Sequence, residues 1–269
     1  MRNILAFLAL LMASHVAYTA ELFGTVDSLS GSAYVTDQYG KSTAVYIGVK
    51  VYEGQTINSG HDSEVHLVTE DGGIIAVRPD TVFRVDTYKA EGGSEDKIFM
   101  SLLKGAFRLI TGWIGKNNSS AYRVTTPSAT IGIRGTDHEV TVIDASDGDE
   151  SGTYDTVNEG ATILRTPQGE AEVLPGKIAF VPKGRAIAPL YLTHQPRFLA
   201  RRKLLIEKRI QQRKESLRGR LEHMREDRIK RQKLIRSNRL KQGGQQRRNK
   251  VRDQERSVIM RKHKGLREK

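Results

Sequence analysis

The sequence predicts a mainly β protein, an all-β, solenoid-like roll or flattened barrel of short strands, followed by a long basic α-helical tail. Two observations carry this. Between Leu22 and Pro182, short runs rich in Val, Ile, Thr, Tyr and Phe are cut by glycine-containing turns at roughly six- to ten-residue intervals. Beyond Pro196 the composition changes to Leu, Gln, Glu, Lys and Arg, all good helix formers. Charge divides at the same place. Residues 1–196 carry 16 Lys+Arg against 23 Asp+Glu, net −7, and residues 197–269 carry 28 against 8, net +20. An acidic body with a basic tail is the usual mark of a tail that meets anionic partners. With no cysteine in the chain, disulfides, thiolate metal sites and a cysteine nucleophile are excluded, and the fold must rest on a packed core.

Residues 1–20 have the layout of an export signal, either cleaved after Ala20 or retained as an anchor. Arg2 precedes an apolar run from Ile4 to Met12, and the small residues Ala17 and Ala20 follow, with Tyr18 at the −3 position of that cut. The run is far short of the roughly 20 apolar residues that a spanning helix needs. The protein is therefore expected to be exported, periplasmic or envelope-associated.

The strand-rich domain is expected over residues 21–190. Within it Val65, Leu67, Ile75, Val77, Phe83 and Val85 alternate with polar or small neighbours, the period of a half-buried strand. Lys97 to Trp113 reads as a hairpin with its turn at Gly105, and Trp113 as a core or edge aromatic. Asp144 to Asp155 is a polar acidic loop, with Asp144, Asp147, Asp149, Glu150 and Asp155 as oxygen donors but without EF-hand spacing. Residues 152–182 complete the same core through Val157, Ile163, Leu164, Val173, Leu174, Ile178, Phe180 and Val181.

The domain is organised around residues 125–140. Pro127 stops a helix, Ala129 to Ile133 reads as a strand, and Arg134 to Asp137 as a tight corner in which Gly135 takes a positive φ. Arg134 and Asp137 are expected to fix that corner as a hydrogen-bond or charge pair. The strand resumes at Glu139. This stretch resembles the signature of FecR-domain proteins at Thr126, Pro127, Ala129, Gly132, Arg134, Gly135, Thr136 and Val140. Asp137, His138 and Glu139 give the RGTDHE form of its exported, stand-alone members. The resemblance runs from about Gly24 to Pro189, and includes Val51, Gly54, Ile57, Gly60, Ser63, Val65 and Leu67. It implies the β fold and reads the signature residues as fold-determining. It also implies kinship with regulators that relay siderophore occupancy of an outer-membrane transporter to a cytoplasmic sigma factor. Those regulators begin with a cytoplasmic anti-sigma segment and a membrane helix, which a signal leading into the domain at Leu22 would replace.

No catalytic template fits. Gly40-Lys41-Ser42 lacks the preceding glycine of a phosphate loop, since Val35 stands there. There is no G-x-S-x-G elbow and no H-E-x-x-H helix. His61, His66 and His138 lie in or beside strands without ligand spacing. The sequence thus predicts no enzyme, no cofactor and no metal.

Residues 191–196 form a proline-containing linker. Residues 197–242 form a basic helix with a thin stripe at Ile210, Leu217 and Met224, too interrupted for a sustained coiled coil. Glu226/Lys230 and Asp227/Arg231 supply i,i+4 pairs. Residues 243–269 form a disordered or weakly helical end. Arg201, Arg202, Lys203, Lys208, Arg209, Arg213, Lys214, Arg228, Lys230, Arg231 and Lys233 are the candidates for binding a polyanion by counterion release. Export would make that partner a phospholipid, a lipid A phosphate or a cell-wall polymer, with an envelope protein as the alternative. The tail has no aromatic residue after Phe198, which argues against recognition of a specific nucleic-acid sequence. The reading is a non-enzymatic binding or scaffold module of the envelope, with envelope signalling as the alternative.

Overall fold

The structure is a computed structural model that describes residues 20–117, 119–144 and 148–201, with isolated positions at Ile210, Glu226, Ile229, Lys230 and Lys233. Residues 1–19 of the expected signal, the acidic-loop residue Asp147 and most of the tail lie outside the described residues. So do the polyanion candidates Arg202, Lys203, Lys208, Arg209, Arg213, Lys214, Arg228 and Arg231. Met1–Leu205 form one compact unit and Ile206–Lys269 a second.

The strands are β1 (Leu22–Ser30), β2 (Ala33–Thr36), β3 (Ser42–Ala44), β4 (Lys50–Tyr52), β5 (Thr56–Ser59), β6 (Glu64–Thr69), β7 (Ile74–Val77) and β8 (Val82–Lys89). The long β9 (Lys97–Ile110) leads into a short helix, α1 (Trp113–Asn117). Then come β10 (Tyr122–Thr125), β11 (Thr130–Ile143), β12 (Gly152–Thr166), β13 (Gly169–Val173), β14 (Ile178–Pro182) and β15 (Leu190–Tyr191), and the short helix α2 (Arg197–Arg201). The main path of the sheet is β15-β14-β12-β11-β10-β9-β7-β6-β1-β4, with β8, β5, β2 and β3 branching from β9. Every pairing is antiparallel except β9–β10. The mainly β expectation holds. The sheet is mixed and open, ending at β4 and β15, and is not a closed barrel.

β9 is the hub. Its first half pairs with β8 and β10, and its second half with β7 and β11. The residues that enter the core change parity on the way: Ile98, Met100 and Leu102 in the first half, then Phe107 and Leu109 in the second, each fully buried. Gly105 makes that change possible. Its φ is +85°, and a Cβ there would lie 2.3 Å from Thr81 Oγ1 and 2.5 Å from Thr81 Cα. Thr81 uses its hydroxyl both to accept from Ala106 N–H at 2.9 Å and to donate to Ala106 O at 3.0 Å. The expected hairpin with its turn at Gly105 is therefore corrected: the glycine re-aims one continuous strand, because partners wait on both halves. Trp113 stands in α1, partly buried against the core.

Val65, Leu67, Ile75, Val77, Phe83 and Val85 are all buried in a single core, so the period-two alternation reported the inward face correctly. Phe83 meets Phe23 and Phe107 at centroid distances of 6.2 and 5.3 Å, and Phe23 lies edge-on to Tyr88 at 5.1 Å. Such pairs add about 0.5–1.5 kcal/mol each beyond the area they bury. Leu174 departs from its expected core role and is 48% exposed, because it follows β13 in the turn that leads to β14.

Gly105→Ala is expected to lower the unfolding free energy by at least about 1–3 kcal/mol, since it puts a side chain into a left-handed backbone position and into the Thr81 contact. Urea unfolding of the purified chain measures this, and a shift below about 0.5 kcal/mol would refute the hub reading.

Candidate functional site

The signature residues lie in the turn before β11 and along that strand, and the structure gives most of them structural contacts. Thr126 closes the turn over Pro127: its hydroxyl accepts from Ala129 N–H and lies within reach of Ala129 O, both at 3.0 Å, and it meets Thr153 Oγ1 at 2.7 Å. Ala129 is buried at the entry to β11. Gly132 faces the Arg165 guanidinium, which lies 2.9 Å from where a Cβ would stand. Gly135 takes the expected positive φ, +59°.

The expected corner at Arg134 to Asp137 is instead a bulge within one 14-residue strand. Register with β12 shifts between Arg134 and Asp137 and again between Asp137 and His138. Thr136 is held there by Thr111, whose hydroxyl accepts from Thr136 N–H at 2.9 Å and whose N–H donates to Thr136 O at 2.9 Å. Inside a sheet with partners on both sides the chain absorbs the glycine as a bulge rather than reversing.

The expected Arg134–Asp137 pair does not form. Arg134 is exposed, and Asp137 turns inward to Arg108 of β9. Arg108 Nε and Nη2 donate to Asp137 Oδ1 and Oδ2, both at 2.7 Å, with the two side chains 3% and 2% exposed. Asn158 of β12 adds a hydrogen bond to Asp137 Oδ1 at 3.2 Å. A bidentate, charge-assisted pair is the geometry that recovers most of the desolvation cost of burying two charges.

The next two residues take different partners. His138 Nδ1 lies 2.8 Å from Asp155 Oδ1, with both side chains fully buried, and Thr162 donates to the other Asp155 oxygen. Glu139 accepts from Arg78 at 2.9 Å, and the same guanidinium binds Glu64 at 2.9 Å. His66 meets that Glu64 at 3.0 Å. Three consecutive residues thus tie β11 to β9, to β12, and to β6 through Arg78, the residue that follows β7. Asp155, expected in the acidic loop, is a buried strand residue instead.

Sequence reasoning missed Arg108, Arg78 and Glu64. The available signal was a single arginine inside or ending each of two apolar runs, Ala-Phe-Arg108-Leu-Ile and Ile-Ile-Ala-Val-Arg78, matched by the carboxylates of the signature.

The three histidines do not meet. His61 pairs with Asp80 at 2.8 Å on the surface, and among the described residues no group of His, Cys, Asp and Glu is arranged to hold a metal ion. Gly40 and Lys41 belong to the β2–β3 turn, where Asp37 Oδ1 accepts from Tyr39 and Lys41 N–H. Of the polyanion candidates, Lys230 and Lys233 are exposed and Arg201 closes the described turn of α2. The expected Glu226/Lys230 pair forms at a loose 3.8 Å. A groove of about 460 Å³ opens beside Asn158, lined by Thr156, Ile178, Leu192 and His194.

The buried pair and the surface pair give separate tests. Asp155→Ala strands His138 in the core and is expected to lower stability by about 1–3 kcal/mol in urea unfolding. His61 is held above its ordinary pKa by the hydrogen bond and charge of Asp80. The contribution of that pair is therefore present at low pH and is lost as pH rises through the folded-state value. NMR titration should place His61 above 6.5, and Asp80→Asn should bring it down. A value unmoved by that change would refute the pairing.

Residues 55–162 match the FecR family, described as "FecR protein". No curated protein matches the chain. Two crystal structures of a provisionally named anti-sigma factor from Parabacteroides distasonis ATCC 8503 resemble it at 16% and 18% identity, each with a TM-score of 0.42. Each alignment covers 54% of this chain, which spans 62% of the length of those chains. The matched family span runs from β5 into β12 and takes in the signature strand with its Arg108, Arg78 and Asp155 partners, so that the resemblance to FecR proteins rests on residues 55–162.

Proposed function

We propose that the chain is a non-enzymatic component of an envelope signalling pathway related to the FecR-type sigma-factor regulators. The FecR domain at residues 55–162 carries this reading. The chain is an exported, stand-alone form of that domain, marked by the RGTDHE run at Arg134 to Glu139. It works on the far side of the membrane and passes its state to a membrane-spanning partner. Its β domain serves as the docking module.

A second reading is favoured by the charge split, −7 before Pro196 and +20 after it. In it the chain is an envelope scaffold whose basic segment holds anionic phospholipid, lipid A phosphate or a cell-wall polymer by salt-sensitive contacts.

Cross-linking of the full chain in living cells, with transcript profiling of a gene deletion, separates the two. The signalling reading expects a membrane-spanning regulator among the cross-linked proteins and a severalfold change in one sigma-dependent set of transcripts, restored by the full chain. Unchanged transcripts, with salt-sensitive sedimentation in envelope fractions that is lost when the chain ends at Pro196, would replace it with the scaffold reading.

A further inference from the structure

The acidic loop between β11 and β12 reaches the start of α2, 48 residues along the chain. Asp149 accepts two backbone hydrogen bonds there, from Arg197 N–H to Oδ1 at 3.1 Å and from Phe198 N–H to Oδ2 at 2.9 Å. These are among the first donors of a helix, which no helical carbonyl can satisfy. A capping carboxylate normally comes from the residue that opens the helix; here a distant loop supplies it.

A second contact holds the same turn. The Phe198 ring lies edge-on to Tyr154 at 5.0 Å, and Tyr154 stacks on Phe180 at 4.4 Å. The Tyr154 hydroxyl donates to Glu150 O at 2.5 Å, so the aromatic ladder is tied to the loop that carries the cap. Pro196 is buried between linker and helix. Lys183–Asp144 at 2.5 Å and Arg185–Glu150 brace the loop against the segment after β14. Gly148 sits where a Cβ would come within 2.9 Å of the Arg197 guanidinium.

We propose that this loop is a latch: through Asp149 and the Tyr154–Phe180 platform it fixes the turn Arg197–Arg201 to the β domain. That turn, Arg197–Arg201, is then held against the sheet rather than left as a free linker. All these residues belong to the first compact unit, Met1–Leu205. The bracing pairs are about half exposed, so salt screens them, and it also screens the attraction between Asp149 and the helix start. Rising ionic strength therefore loosens the latch. The proposal holds whether the β domain signals or scaffolds.

Limited trypsin digestion of the full chain tests it at the Arg197–Phe198 bond. Asp149→Ala and Phe198→Ala are each expected to raise cleavage there at least about fivefold over the unmodified chain, with the thermal midpoint of the sheet little changed. Asp149→Asn should fall between, because its amide oxygen still accepts one hydrogen bond. Sodium chloride should speed cleavage of the unmodified chain and leave Asp149→Ala almost unaffected. Equal cleavage of the unmodified chain and both alanine variants would overturn the latch. If a variant unfolds the sheet, hydrogen exchange in the unmodified chain decides. Protection of the Arg197 and Phe198 amides would support the latch, and exchange at unstructured rates would overturn it.

Discussion

The buried pair between Arg108 and Asp137 is the constraint on which the rest of the domain depends. Two charges taken out of water are tolerable only if each is met, and the guanidinium fork meets the carboxylate with two hydrogen bonds at 2.7 Å. That requirement places β11 against β9 at the point where β11 is bulged and its backbone register would otherwise be loose. His138 and Glu139, the next two residues, then fall toward Asp155 and Arg78. A one-residue slip would exchange the core side for the polar side along the whole strand. The polar contacts therefore specify register, while the apolar core supplies most of the driving force.

Much of the fold was legible because it is local. Alternation marked Val65, Leu67, Ile75, Val77, Phe83 and Val85 as inward-facing, and Pro127 and Gly135 announced their backbone roles. The missed features depend on pairing between distant segments. Gly105 has the same intrinsic freedom in a hairpin turn and in a redirected strand, and only the presence of β7 and β11 beside its second half decides between them. Asp137 was assigned to nearby Arg134, when its partner lies 29 residues earlier in the chain. Asp155 read as the end of an acidic loop because nothing in its neighbourhood reveals the histidine it faces. Asp149 likewise read only as part of the polar acidic loop, and its two partners are backbone donors that no composition can show.

These contacts separate two roles within the acidic region. Asp155 lies fully buried in β12 and stabilises the signature strand, whereas Asp149 caps the turn from which the basic segment departs. Tyr154 stands between them, one residue before Asp155, with its ring on Phe180 and under Phe198. The strand at which the FecR match ends thus also carries the platform for the turn Arg197–Arg201. A disturbance of β12 would be felt at both ends through rigid, packed groups, which is the physical basis for treating the β domain and the start of the tail as one working piece.

The Arg108–Asp137 pair acts as a coupled unit that sets the register of the signature strand. A double-mutant cycle in urea unfolding tests it most directly, with Arg108→Met, Asp137→Leu and the two combined. Each single change should cost about 3–5 kcal/mol by leaving a buried charge unmatched, and the double variant should cost well below the sum. Single losses under about 1 kcal/mol, or costs that simply add, would contradict the account.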